Sequence, residues 1–231
     1  ILIGIPVRVR GALYNCAAVL HKGDILGMVP KRNIPNYTEF YELRHFTEAT
    51  AETAEYLTWG DQEFALSPMQ VFQCTEMPEF TVGAEICEDL WVSNPPSSAL
   101  AAAGATILYN LSASDEIIGK AAYRRDLVRM QSGRGQCGYV YCDAGQGESS
   151  TDLVFAAHNI IAENGSILAQ SKRFATGLTI SEIDVKRMDY ERRRQNTFHT
   201  EDVFDYAEIP FDMQLRETEL TRPVAQTPFV P

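Results

Sequence analysis

The feature that most constrains the fold is Asn164-Gly165, set between the apolar stretches 153–162 and 167–170. Asn-Gly supplies the positive φ values of a two-residue hairpin turn, so both stretches are predicted to be antiparallel strands. A similar arrangement occurs earlier, where His21-Lys22-Gly23-Asp24 separates residues 12–20 from 25–29. Two hairpins exclude a purely parallel sheet. Between them the pattern changes. Residues 80–87 read as a strand, and 99–104 as a short helix introduced by Pro95-Pro96-Ser97-Ser98. Residues 106–111 and 139–142 are further strands, with a long helix predicted over 116–136 from Ile117, Ala121, Leu127 and Val128. Such a series implies right-handed crossovers with helices covering a sheet, so the fold class is α/β. One more strand is expected over 177–183, an exposed helix or ordered loop over 47–57, and a Pro-punctuated linker from Phe211 onward.

The 231 residues allow one large domain or two small ones. No apolar run approaches the roughly 18 residues of a membrane helix. The formal charge is 20 − 31 = −11, and its distribution is uneven. Residues 39–89 hold twelve acids against Arg44 alone, so the rest of the chain sums to zero. An acidic chain without a basic stripe argues against nucleic-acid or acidic-membrane partners. Most of these carboxylates are expected to form a solvated face. Five cysteines, with no CxxC pair, fit a reducing cytoplasm better than a disulfide framework. Four dispersed histidines give no zinc-ligand spacing, so no metal site is expected.

Cys87 ends an apolar run and is followed at once by Glu88-Asp89. A residue at the carboxyl end of a strand is displayed at the sheet rim, where a nucleophile can work and the next amide can bind an oxyanion. The alternative is an inert core cysteine. Lys31, after Pro30 at the end of the first hairpin, is either solvated or turned inward to favour a thiolate. Two polar clusters, 110–114 and 143–152, follow predicted strands and share the sheet edge of Cys87 if those strands are parallel. Gly145-Gln146-Gly147 lacks the rest of a nucleotide-binding fingerprint and reads as a turn.

Three segments together carry a family resemblance: Pro30-Lys31-Arg32-Asn33-Ile34-Pro35-Asn36-Tyr37, Gly83-Ala84-Glu85-Ile86-Cys87-Glu88-Asp89, and Asn110-Leu111-Ser112-Ala113-Ser114. With Gly147-Glu148-Ser149 and Thr151-Asp152-Leu153 in the same order, the chain resembles the nitrilase superfamily over roughly residues 12–195. Within it, the chain most resembles the glutaminase domains of glutamine-dependent NAD⁺ synthetases. The resemblance implies a four-layer αββα sandwich and a Glu–Lys–Cys triad, with Cys87 as nucleophile and Lys31 and the Glu88 amide on the oxyanion. It implies a supporting carboxylate at Glu39 and a glutamine pocket of Tyr37, Glu42, Trp91, Ser114 and Lys120. At Trp91 and Lys120 the family commonly carries Phe and Arg. The general-base glutamate is implied on a strand well before Lys31, yet residues 1–38 contain no glutamate.

The chain is therefore expected to be a fragment without its N-terminal strand and helix region. Residues 1–210 would be a partial glutaminase domain. Residues 211–231 would be a linker opening an absent synthetase domain. ATP and Mg²⁺ are expected to act only in that domain, with no cofactor in this chain. Glutamine, the synthetase domain and further copies of the chain are the implied partners. The competing readings are a free-standing nitrilase-type amidase and a catalytically dead scaffold.

Overall fold

The computed structural model describes residues 1–148, 152–199 and 205–223. Ser149 and Thr151 of the second polar cluster, and the tail Pro228-Phe229-Val230-Pro231, lie outside the described residues. Three strands open the chain: β1 (Leu2–Val9), β2 (Ala12–His21) and β3 (Asp24–Pro30). The expected turn at Lys22-Gly23 has φ values of +51° and +99°, and Asn164-Gly165 has +44° and +83°. Both residues of each pair are left-handed, as a tight hairpin turn demands.

A second antiparallel pair follows, β4 (Glu55–Trp59) and β5 (Gln62–Leu66), and then β6 (Gln70–Cys74) and β7 (Thr81–Ile86). The crossover region comes next: α1 (Pro96–Ala102), β8 (Ile107–Ser112), α2 (Lys120–Arg134) and β9 (Gly138–Asp143). The remaining elements are β10 (Ile160–Glu163), β11 (Ser166–Gln170), α3 (Val185–Arg194) and β12 (Ala207–Phe211). The strands form two sheets, β1-β2-β3-β5-β4 and β11-β10-β9-β8-β7-β6-β12. In the larger sheet β7, β8 and β9 run parallel, so Cys87, Ser112 and Asp143 fall at one edge.

Burial explains the layering. Ala17, Val19 and Val29 of the smaller sheet pack against Phe72, Val82, Ala84 and Ile86 of the larger. The opposite face of the larger sheet buries Leu108, Tyr139, Tyr141 and Ile160 beneath Leu100, Ala101 and Val128 of α1 and α2. Helices on one face and a second sheet on the other make an α/β sandwich.

Four sequence expectations change. The strand expected from 153 begins only at Ile160. Ala157 has a φ of +51°, the Asn159 side chain accepts the Asp143 N–H, and the Asn159 N–H goes to Ser171 Oγ, so side chains replace the ladder. Residues 177–183 are not a strand. They cross the face of β9, where Ile183 seats against Gly138. Residues 47–54 take the loop alternative, but 55–57 belong to β4, which the chain enters at Glu55. The long helix starts at Lys120, because Gly119 before it has a φ of +85°.

Candidate active site

Cys87 follows directly on β7 and opens a short 3-10 turn, Cys87–Leu90. Its φ is +47°, a left-handed backbone that costs a non-glycine residue about 1–3 kcal/mol. Two buried side chains hold this turn. Asp89 accepts the Ile86 N–H at 3.0 Å and both the backbone and side-chain N–H groups of Asn33 at 2.8 Å. Asn110, on β8, accepts the Cys87 N–H at 3.1 Å and donates to the Cys87 carbonyl at 3.3 Å.

Lys31 leaves the end of β3 and is 2% exposed. Its N–H donates to the Asn15 carbonyl at 2.8 Å, and its carbonyl accepts the Ala49 N–H at 3.1 Å. Its ammonium donates to Glu42 Oε2 at 2.5 Å, and Glu42 Oε1 accepts from Asn15 Nδ2 at 2.8 Å. A buried ammonium requires such a partner. Burial pushes the Cys87 thiol pKa up. The Lys31 charge pulls it down and Glu42 opposes Lys31.

Cys87, Lys31, Glu39 and Glu42 line one cleft of about 630 Å³, together with Asn15, Ser112 and Asp143. The carboxylate on Lys31 is Glu42. Glu39 sits half-exposed at the cleft edge, its pKa lowered by hydrogen bonding from the Thr38 hydroxyl. Tyr37 is largely exposed and donates to Glu88 Oε1 at 2.8 Å. Lys120 pairs with Asp115 and lies over the rings of Trp91 and Phe40, at 5.1 and 5.4 Å from their centroids.

Ser114 faces the interior. Its Oγ accepts from Arg124 at 3.3 Å, and its N–H donates to Asp143 Oδ1 at 3.0 Å. Arg124 is fully buried and also reaches Glu116 at 2.9 Å and the Asp115 carbonyl at 3.0 Å. It thereby fixes the segment that follows β8. In the sequence Arg124 is simply part of the helix predicted over 116–136, and Asn15, Asp89 and Asn110 are not recognised there as supports of the site. Asn110 had a signal, as the first polar residue of a cluster ending a strand. Asn15 had none, because its role depends on a contact 27 residues away.

This arrangement combines a thiol on a strained turn, a buried cation beside it, and an open cleft above both. Residues 1–193 match the family described as Carbon-nitrogen hydrolase. The chain belongs to that family. As a carbon-nitrogen hydrolase it is 39% identical, over its whole length, to the glutamine-dependent NAD(+) synthetase of Mycobacterium tuberculosis, spanning 35% of that relative. It is 31% identical to the glutamine-dependent NAD(+) synthetase of Mus musculus, over 97% of this chain and 32% of the relative. The chain thus spans about a third of the curated relatives it matches. Among solved structures, the glutamine-dependent NAD(+) synthetase of Cytophaga hutchinsonii superposes with a TM-score of 0.66 at 24% identity, covering 84% of this chain and 33% of that one. Saccharomyces cerevisiae Nit3, a nitrilase-superfamily member, superposes with a TM-score of 0.61 at 16% identity, covering 84% and 62%. The sandwich of this carbon-nitrogen hydrolase is the nitrilase-superfamily fold. Among the described residues no helix is long and apolar enough to cross a membrane.

Proposed function

We propose that this carbon-nitrogen hydrolase cleaves the side-chain amide of glutamine through a thioester on Cys87. The ammonia would pass to a synthetase domain of the same polypeptide, which amidates deamido-NAD⁺ with ATP and Mg²⁺. The supporting observation is Cys87 beside Lys31 in one cleft, in a chain 39% identical throughout to glutamine-dependent NAD(+) synthetases.

The thiolate adds to the amide carbon, and the carbonyl electron pair moves to oxygen as the C–S bond forms. The Lys31 ammonium and the Glu88 N–H stabilise that oxyanion. Collapse breaks the C–N bond as the nitrogen takes up the proton that the thiol gave up, and ammonia leaves. Water then adds to the thioester and releases glutamate and the free thiol. Tyr37, Glu42, Trp91 and Lys120 are the proposed glutamine contacts, with Glu39 as an outer carboxylate and Ser114, its hydroxyl turned onto Arg124, supporting the pocket from behind. The free thiols at all five cysteines suit a reducing cytoplasm, and assembly into a homo-oligomer belongs to the same reading.

The decisive variant is Cys87→Ala in the full-length polypeptide. Glutamine-dependent NAD⁺ synthesis should vanish while ammonia-dependent synthesis persists. Loss of both would show that Cys87 does not serve the glutaminase step alone.

A further inference from the structure

The Asn110 side chain is fully buried on the helix-facing side of the larger sheet, two residues before the end of β8. Its carboxamide meets both backbone polar groups of one residue, Cys87, across the parallel pair β7–β8. Oδ1 also accepts the Ser112 hydroxyl at 2.6 Å, and the Tyr139 hydroxyl lies within hydrogen-bond range of the same carboxamide. These partners fix which end of the amide is oxygen. Rotating it by half a turn would set N–H against the Cys87 N–H and oxygen against the Cys87 carbonyl.

The residue held in this way is the one with the left-handed backbone. A strained conformation persists only where its surroundings over-determine it. β7 ends at Ile86, so the strand ladder no longer supplies partners for Cys87, and Asn110 supplies both. We propose that Asn110 is a positioning residue for the nucleophile: it holds the Cys87 backbone so that the thiol projects into the cleft beside Lys31. Without it, Cys87 relaxes toward an ordinary backbone and its thiol leaves the Lys31 charge. The inference rests on the reading of Cys87 as the nucleophile.

The test is the pH profile of Cys87 alkylation by iodoacetamide, followed by peptide mass mapping on the chain. In Asn110→Ala the rate at neutral pH should fall about tenfold or more, the scale expected of a misplaced reacting group. The midpoint of the profile should also rise, because the thiolate loses its cation. Asn110→Asp keeps the acceptor for the Cys87 N–H and loses the donor, so about a threefold fall is expected. That milder variant carries the test if the alanine variant does not fold. Gln131→Leu removes buried hydrogen bonds to Ser97 and Ser98 and leaves the clasp intact. It should destabilise the fold yet leave the midpoint unchanged. Wild-type kinetics in both Asn110 variants, or an equal midpoint shift in Gln131→Leu, would overturn the proposal. If wild-type Cys87 reacts no faster than the other cysteines, the nucleophile reading fails and this inference falls with it. Glutamine turnover does not enter the measurement, so the two failures are separable.

Discussion

Lys31 and Glu42 act on the Cys87 thiol with opposite sign. Lys31→Met should raise the thiol pKa and slow its alkylation at pH 7 by about tenfold, equivalent to about one pKa unit. Glu42→Gln should lower that pKa and quicken alkylation. Shifts in the same direction from the two variants would exclude the arrangement. A second residue-scale test concerns Glu85, which is buried, accepts Ser97 N–H at 2.7 Å and pairs with the Tyr139 hydroxyl. Burial, reinforced by Asp89, lifts its pKa from the usual 4.5 to about 7. The folded state therefore holds this proton more tightly than the unfolded chain. The contribution of Glu85 to stability is complete below about pH 4.5 and is lost as pH rises through 7, amounting to at most about 3 kcal/mol. Glu85→Gln stays neutral, so it should be more stable than wild type at pH 8 and equal to it at pH 4 in urea titrations. Parallel pH dependences for the two proteins would contradict this. Cys87 and Lys31 were legible in the sequence because each sits where a short apolar run stops. Asp89, Asn110 and Arg124 were less so. A polar residue that supports a site from the interior looks the same in sequence as one that faces water.

At the scale of elements, the hairpins and the β7–α1–β8–α2–β9 series were readable because turn chemistry and periodicity agreed. β6 was not, since its five residues are buried on nearly every position and give no alternation. Among the described strands β12 pairs with β6 alone, a partner more than a hundred residues earlier. Residues 153–159 and 177–183 misled for a common reason. Both are largely apolar, but they are spent on covering a sheet or a cleft rather than on a ladder. Two elements meet tightly at the cleft, where a Cβ on Gly145 would lie 2.7 Å from the Ala157 Cβ. Gly145→Ala should cost about 1–3 kcal/mol in thermal or chemical denaturation. It should also displace residues 144–148, which contribute Ala144 and Glu148 to the cleft. A neutral effect on both stability and Cys87 alkylation would show that this contact does not shape the site.

For the whole molecule, two packed sheets bring the end of a hairpin and the end of a crossover strand to one rim, so Lys31 and Cys87 meet despite 55 intervening residues. The acidic segment divides on the same frame. Glu48, Glu52, Asp61, Glu63 and Glu76 are exposed, in keeping with a solvated face, whereas Glu42, Glu85 and Asp89 are built into the site and its support. Charge counting could not separate these groups, because burial is decided by the sheet pairing. The central claim is that Cys87 attacks the amide of glutamine from this cleft. The most direct measurement is intact-mass and peptide mapping after exposure to a diazoketone analogue of glutamine, with and without excess glutamine. The expected result is a single adduct on Cys87, suppressed by glutamine and absent in Cys87→Ala. An adduct on Cys142 equal to that on Cys87, or labelling that glutamine does not suppress, would contradict it.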